Sequence, residues 1–180
     1  MPLHDDPGRA PARFLVENID LVPGGRILDI AMGDGRNAVF LAKRGRDVTG
    51  IDISPEAVHT ARRRARQQGV RLRAETVDLE HGFSIEKESY DGIICFNYLY
   101  RPLIPEIRKG LRRGGVVVYE TYITDQARFG RPTNPVYLLK HNELLEMFRG
   151  FRCLRYREGV VAERKAVAGI VAVKPQVEET

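Results

Sequence analysis

The order of apolar and polar residues near the start of the chain predicts a strand, a tight turn, a helix and a second strand. An apolar run at 27–30 is typical of a buried strand, and a glycine turn at 33–35 follows it. Apolar residues then recur at helical spacing over 38–42, and a β-branched run at 48–51 ends in Asp52. This order predicts one βαβ half of a nucleotide-binding sheet, with the ligand beyond the carboxyl ends of the strands.

Similar patterns predict the elements that follow. Ser54, Pro55 and Glu56 form a strong helix start, because they supply a cap, a proline in the first turn and an acid at the positive helix end. The segment at 123–139 is long, polar and rich in Gly and Pro, as many lids and binding loops are. Further helices are predicted at 11–21, 102–111 and 142–148, and strands at 70–77, 90–96, 116–121, 152–160 and 166–173.

The chemistry of the glycine turn indicates which cofactor it suits. The segment GDGRNA at 33–38 satisfies the loose dinucleotide pattern, and Asp52 lies at the offset of about 20 residues given for a ribose-binding acid. However, Asp29 and Asp34 lie where a pyrophosphate would rest. Repulsion between the negative carboxylates and the negative phosphates would cost energy in a partly desolvated turn. A cofactor with a positive amine and a sulfonium would be favoured by the same acids.

The segment DIAMGDGRN at 29–37 resembles the first motif of class I S-adenosylmethionine (SAM) dependent methyltransferases, acid-x-Gly-x-Gly-x-Gly, with Ala31 at the first glycine. The Gly-Arg-Asn continuation is similar to the small bacterial enzymes grouped with tellurite-resistance (TehB-like) methyltransferases. The resemblance extends over about 13–174. It implies an α/β fold, Rossmann-like and doubly wound, with a mostly parallel seven-stranded sheet, an antiparallel last strand and helices on both faces.

The resemblance also implies SAM as the cofactor, with S-adenosylhomocysteine as its product, and a set of binding residues. Asp29, the glycine turn and Asn37 would hold the methionine portion, and Asp52 would bind the ribose hydroxyls. Arg13 would be a clamp for the cofactor's carboxylate, unless it is a solvent-facing side chain. Ile53 would pack on adenine, and Asp78 with Leu79 would meet its edge. The implied cofactor-binding set is Asp29, Ala31, Gly33, Gly35, Asn37, Asp52, Ile53, Asp78, Leu79 and Phe96.

The acceptor side is less determined, because methyl transfer needs alignment of the nucleophile and exclusion of water rather than a fixed catalytic motif. The candidates for a catalytic role are Glu120, Tyr98 and His141. Glu120 is the best general base by position, and its alternative role is a strand-end acid paired to an arginine. Aromatic walls with a few basic groups suit a small oxyanion, thiol or carboxylate acceptor. The other side chains expected there are Tyr100, Arg101, Tyr122, Arg128 and Arg131.

Length and composition favour one compact domain. The 180 residues are 43% hydrophobic, and we expect a flexible lead-in over 1–10 before a single methyltransferase domain over 11–180. Cys95 is predicted to be a core residue, and no Cys or His spacing typical of a metal site occurs in the sequence. The lack of an apolar signal core and of a membrane-length run predicts a cytoplasmic protein without a membrane partner. We expect a monomer or a homodimer.

The charge of the chain leaves alternatives for the acceptor. The net charge of +5 comes largely from arginines at 62–73, which form either a solvated helix face or a patch for a polyanion. The patch would suit RNA, although no Pro-Pro-Tyr-type motif for amino-group methylation follows the fourth strand. A SAM-binding regulator without turnover is a further alternative, because Ala31 departs from the motif and no catalytic base is obvious. An NAD-dependent oxidoreductase is disfavoured by the acids of the turn.

Overall fold

A seven-stranded sheet forms the centre of the protein. Its strands are β1 (Arg26–Ile30), β2 (Asp47–Asp52), β3 (Arg73–Thr76), β4 (Tyr90–Phe96), β5 (Leu111–Tyr122), β6 (Arg152–Val161) and β7 (Lys165–Val173), and their order in the sheet is β3-β2-β1-β4-β5-β7-β6. The computed structural model describes residues 10–162 and 164–176. The first five strands in this order, β3, β2, β1, β4 and β5, pair in parallel. Strand β7 pairs antiparallel with both β5 and β6. The predicted mostly parallel sheet with an antiparallel last strand is therefore confirmed.

Helices cover both faces of the sheet, as predicted. Successive residues of a strand point to opposite faces, so Ile93 and Ile94 of β4 join different core clusters. The cluster around Ile93 includes side chains of α4 (Ile104–Gly110) and α5 (Glu143–Met147). The cluster around Ile94 includes side chains of α1 (Arg13–Glu17) and α2 (Arg36–Ala42). The remaining α-helix, α3, spans Pro55–Gln67.

Several element boundaries differ from the prediction for identifiable reasons. The third strand begins at Arg73 rather than at residue 70, because the Val70 N–H donates to Ala65 O and closes the end of α3. The first helix ends at Glu17, and a 3-10 turn at Ile19–Leu21 completes the predicted segment. The start of α3 is as predicted, since Ser54 Oγ accepts the Ala57 N–H at 3.2 Å.

The topology places the carboxyl ends of the parallel strands at one edge, where the candidate site is expected. The predicted lead-in at 1–10 lies, apart from Ala10, outside the described residues. Within the described ranges, no helix is long and apolar enough to cross a membrane. Both cysteines are free, and Cys95 is buried as predicted.

Candidate active site

The turn after β1 is held in an uncommon backbone conformation. Ala31, Gly33 and Gly35 have φ angles of +53°, +58° and +80°, and the Met32 N–H donates to Ile51 O at 3.0 Å. A left-handed conformation costs an alanine about 1–2 kcal/mol, whereas a glycine adopts it freely. The strain at Ala31 explains why glycine is the usual residue at this position of the motif.

The two glycines of the turn have different surroundings. A Cβ added at Gly35 would lie 2.6 Å from the Cβ of Ala61, so the glycine allows the start of α2 to approach α3. A Cβ added at Gly33 would have nothing within 4 Å. Gly33 therefore borders open space, and Gly35 is required by packing between helices.

Asp52, the last residue of β2, is oriented by two backbone donors. Its Oδ2 accepts the Gly33 N–H and its Oδ1 accepts the Ser54 N–H, both at 2.9 Å. A carboxylate oxygen accepts two hydrogen bonds, so each oxygen keeps capacity for a further donor. Ile53 follows with 62% of its surface exposed, which is unusual for isoleucine. The pair offers two acceptors for hydroxyl groups beside an apolar surface.

Asp29, near the carboxyl end of β1, is buried and only partly satisfied. The residue is 1% exposed, and its Oδ2 has no hydrogen-bond partner among the described residues. Burial is the largest cause that raises the pKa of Asp29 to about 8, and the charges of Asp52 and Asp34 act in the same direction. The charge of Arg36 and a hydrogen bond from the Ala38 N–H oppose the rise in pKa. The unpartnered oxygen is an acceptor that a buried cationic donor would satisfy.

Asp34 contributes less negative potential than its place in the turn suggested. Arg64 of α3 binds its Oδ2, and its Oδ1 accepts the Arg36 N–H at 3.3 Å. The Asp34 carboxylate already has a cationic partner, and the raised pKa of Asp29 keeps its carboxyl largely neutral near pH 7. Neither acid therefore repels a pyrophosphate as strongly as the sequence suggested.

Asp78 and Leu79 follow β3 and differ in exposure. Asp78 accepts the Glu80 N–H and contacts His81 Nδ1, both at 2.9 Å, and the Glu80 N–H is the main cause that lowers its pKa. Leu79 is buried in the core cluster that includes α4. Asp78 is thus a surface carboxylate on the same loop as a core residue.

Asn37 and Phe96 are two further residues of the predicted cofactor set. Asn37 is buried, and its Oδ1 accepts the Ala12 N–H at 2.8 Å, which ties the segment before α1 to α2. Phe96 ends β4 and is buried. Asn97 follows with φ of +56°, and its N–H donates to Glu120 O at 2.9 Å.

A cavity of about 230 Å³ lies beyond the carboxyl ends of β4 and β5. Four larger cavities, of about 390, 530, 460 and 450 Å³, are lined by none of the predicted cofactor residues. The smaller cavity is therefore the one beside the candidate site. Its lining residues are Ala10, Pro11, Ala12, Arg13, Arg36, Phe96, Asn97, Glu120, Arg157, Val161, Lys165 and Val167.

Glu120 is the carboxylate of this cavity. Its side chain is 13% exposed, and its Oε2 accepts both Arg157 donors, Nε at 2.9 Å and Nη2 at 2.7 Å. Its Oε1 accepts no hydrogen bond from the residues that the structure describes. Burial raises the pKa of Glu120, and the charge of Arg157 opposes this effect. Arg157 also lies over the Phe14 ring, 4.7 Å from its centroid.

Known proteins resemble the chain in sequence and in fold. Residues 27–115 match a family model described as a methyltransferase domain. A ubiquinone biosynthesis O-methyltransferase of Aliivibrio fischeri is 32% identical over 126 residues, 67% of this chain and 53% of that protein. TehB of Haemophilus influenzae, with a TM-score of 0.73 and 18% identity, shares the fold over 89% of this chain and 61% of its own. A SAM-dependent methyltransferase of Methanosarcina mazei has a TM-score of 0.72 and 20% identity, over 93% of this chain and 100% of its own.

The chain belongs to the class I SAM-dependent methyltransferases. Its cofactor is SAM, as in the family. The chain spans between about a third and a half of the length of the curated relatives that it matches. The comparison with solved structures concerns the fold, because the sequence identities are low.

The residues of this methyltransferase fit SAM. The unpartnered oxygen of Asp29 suits an ammonium group, the carboxylate of Asp52 suits ribose hydroxyls, and exposed Ile53 suits the face of adenine. When bound, SAM supplies a methyl group that is already activated on a positively charged sulfur. The individual assignments, including Asp78 and Asn37, stay predictions.

The other two catalytic candidates of the methyltransferase lie elsewhere. Tyr98 donates from its hydroxyl to Glu80 Oε1 at 3.3 Å, and burial raises the pKa of Tyr98, so the hydroxyl stays protonated near neutral pH. His141 Nε2 lies 3.2 Å from Asp125 Oδ1 at an exposed position. Neither side chain lines the cavity, whereas Glu120 does.

Arg101, which was expected beside the acceptor, binds the loop after β5. It donates to Glu143 and to the carbonyl oxygens of Val136 and Leu138. In the same loop, Gln126 Oε1 accepts the Ala166 N–H at 2.9 Å. The loop at 123–139 is thus packed against β7 and α5 through specific hydrogen bonds.

Sequence reasoning missed three basic residues of the cavity, Arg36, Arg157 and Lys165. Arg36 lies within the glycine motif, so its position was available as a signal. Arg157 and Lys165 lie in β6 and β7, which we interpreted only as a closing hairpin. Their approach to Glu120 depends on the register of three strands, which the local sequence does not show.

Proposed function

We propose that this chain transfers the methyl group of SAM to a small acceptor bound in the cavity beyond β4 and β5. The observation that carries the proposal is the position of this cavity. It lies at the strand edge where SAM is expected, and Phe96 belongs both to its lining and to the predicted cofactor set. A volume of about 230 Å³ suits a compact acceptor, because drug-sized ligands occupy cavities of about 300–1,000 Å³.

In this proposal the protein positions the acceptor and excludes water, while the leaving group is already activated. Glu120 is the proton acceptor when the acceptor enters as a hydroxyl or thiol. Its Oε2 is held by Arg157, and its Oε1 remains available on the cavity side. Burial favours this role, because a carboxylate with a raised pKa is a stronger base.

The names of the relatives support an oxygen acceptor. The sequence relatives include ubiquinone biosynthesis O-methyltransferases, and we extend only the oxygen chemistry to this chain. A tellurite oxyanion, suggested by the TehB-like resemblance, is a narrower version of the same proposal. The cytoplasmic location and the monomeric or homodimeric state stay predictions.

RNA is the second candidate acceptor, and contacts of the arginine segment count against it. Arg62 donates twice to Ala74 O, at 3.1 and 2.5 Å, and Arg73 binds Asp47 at 2.6 Å. Arg64 binds Asp34. These side chains therefore already have partners within the protein. Salt-sensitive RNA binding, which follows release of counterions, would favour this alternative.

The proposed function is tested in two stages. Calorimetric titration with SAM, S-adenosylhomocysteine and NAD should show binding of the first two only. Asp52→Asn should weaken SAM binding about 10–100-fold, as loss of charge-assisted hydrogen bonds predicts. The matched control is Asp47→Asn at the other end of β2, which should leave the affinity unchanged.

The second stage measures formation of S-adenosylhomocysteine with a panel of small hydroxyl and thiol compounds. Turnover with any of them would exclude a regulator without catalysis. Absence of binding by both adenosyl compounds would contradict the proposal at its first step.

A further inference from the structure

We infer that the β6–β7 hairpin makes this cavity selective for a hydroxy acid, an acceptor with a negatively charged group beside the hydroxyl that is methylated. The inference rests on the proposed function and adds the class of substrate. It follows from the strand register, from the two oxygens of Glu120 and from the surplus of positive charge in the cavity.

The strand register builds the carboxylate of the cavity. Glu120 of β5 pairs with Gly169 of β7, and Gly169 pairs with Arg157 of β6. Because Gly169 has no side chain, Arg157 can reach across the middle strand to Glu120. A Cβ at Gly169 would lie 3.0 Å from Glu120 Oε2 and 3.1 Å from Phe14. Two strands of the hairpin therefore supply both the space and the cation that orient Glu120.

The two oxygens of Glu120 are divided between protein and cavity. Oε2 accepts both hydrogen bonds from Arg157, and Oε1 accepts none within the described part of the chain. This arrangement fixes the carboxylate and leaves one oxygen for a hydroxyl hydrogen. The same residue thus recognises the hydroxyl of the acceptor and takes its proton.

The cavity carries more positive than negative side chains. Four lining residues are basic and one, Glu120, is acidic, and Glu17, which does not line the cavity, pairs with Arg13 at 2.6 Å and with Arg157 at 3.6 Å. Lys165 is exposed and makes no hydrogen bond or ion pair with the residues that the structure describes. The charge of Lys165 lowers the pKa of Glu120, so this lysine lies near the base without binding it. A positive group that no described acid binds directly, in the same cavity as a base, favours a ligand that carries an anion. The basic residues are Arg13, Arg36, Arg157 and Lys165.

The carboxylate of SAM accounts for only part of this charge. Arg36 begins α2 directly after the glycine turn, and Arg13 lies on α1, so these two lie on the cofactor side. Lys165 begins β7 and pairs with Val161 of β6, on the hairpin side. A second anion, belonging to the acceptor, would therefore bind near Lys165. A volume of about 230 Å³ accommodates an acceptor with a single ring or a short chain.

The reaction step balances with these groups. The acceptor's O–H bond breaks, and its proton moves to Glu120 Oε1. The acceptor oxygen forms a bond with the methyl carbon of the co-substrate SAM, while the carbon–sulfur bond breaks and leaves its electron pair on sulfur. Lys165 takes no proton and holds the acceptor's anion in place.

Matched pairs of compounds test the inference without requiring turnover. Each pair consists of a hydroxy acid and its carboxamide, with phenolic single-ring and short-chain examples. Calorimetry on protein saturated with S-adenosylhomocysteine should show at least one acid that binds 10-fold or more tightly than its amide. Lys165→Met should remove this difference, and Lys140→Met, a lysine outside the cavity lining, should preserve it.

Turnover supplies an independent readout. With an acid that is methylated, Lys165→Met should raise KM about 10-fold with little change in kcat, because it removes binding rather than chemistry. The affinity of Lys165→Met for SAM should equal that of the wild type. A preference for acids that survives Lys165→Met, or acids that bind no better than amides, would overturn the inference and leave the proposed function standing. Loss of SAM binding in the wild type would instead contradict the proposed function.

Discussion

Arg101 and Glu143, 42 positions apart in the chain, form a bidentate pair. Arg101 Nε donates to Oε1 at 2.6 Å, and Nη2 donates to Oε2 at 3.0 Å. The same guanidinium donates to the carbonyl oxygens of Val136 and Leu138 at 3.0 Å. One side chain after β4 therefore fixes the end of the 123–139 loop and the start of α5.

Arg101→Ala should destabilise the protein, because it leaves Glu143 without this cation and two carbonyl oxygens without donors. We expect a loss of about 1–3 kcal/mol in the free energy of unfolding, allowing for the partial exposure of the pair. Urea unfolding measures this loss. Arg149→Ala, which breaks an exposed pair with Glu146, should cost less than about 0.5 kcal/mol. Equal losses in the two variants would contradict the bridging role.

The two turn glycines should separate stability from binding. Gly35→Ala should cost about 2–4 kcal/mol in unfolding free energy, because it combines a positive φ with a contact of 2.6 Å to Ala61. Gly33→Ala should cost only about 1 kcal/mol, since its Cβ meets nothing. Gly33→Ala should nevertheless weaken SAM binding measured by calorimetry, because it fills the open space beside Asp52. Gly33→Ala protein that binds SAM as the wild type does would show that this space is not used.

The buried carboxyl of Asp29 should make the unliganded protein less stable as pH rises. Its pKa is about 8 in the folded state and about 3.8 when unfolded, so the folded state holds an extra proton between these values. The free energy of unfolding therefore falls between about pH 4 and pH 8, by at most about 1.4 kcal/mol per pH unit.

Urea unfolding at pH 5, 6, 7 and 8 checks this prediction. Asp29→Asn should lack this decline, and its stability relative to the wild type should therefore rise by a few kcal/mol from pH 5 to pH 8. Parallel curves for the two proteins would show that Asp29 is not protonated in the folded state.

Glu120 should control the pH dependence of methyl transfer. Because the base must be ionised and burial raises the pKa of Glu120, the wild-type kcat should rise with pH through that pKa. Glu120→Gln should lower kcat about 10²-fold and abolish the rise. Glu75→Gln, an exposed acid of β3, serves as the control with an unchanged profile. A Glu120→Gln enzyme that keeps the wild-type profile would exclude Glu120 as the base.

Local patterns were sufficient for most of the fold. Each strand was recognisable from its apolar run, and Asp52 from its place after the second run. The third strand was predicted too long, because the closing bond between Val70 and Ala65 is a property of the helix end. The resemblance added the antiparallel last strand, which no local pattern specifies.

The candidate site was predictable only where it is built from neighbouring residues. The Asp52 carboxylate meets Gly33, 19 positions away, within one βαβ unit. Arg157 meets Glu120 across 37 positions and through the register of a third strand, which local sequence does not determine. Arg101 was placed beside the acceptor for the same reason, because its partner Glu143 belongs to a distant helix.

The two sides of the cavity come from different parts of the chain. The family model ends at residue 115, whereas Glu120, Arg157, Lys165 and the segment at 10–13 lie outside it. Shared ancestry is thus most visible over the half that holds the methyl donor. Substitutions in the hairpin could redirect such an enzyme to new metabolites without disturbing that half. A substrate name inherited from a relative is therefore least informative at the positions that choose the substrate.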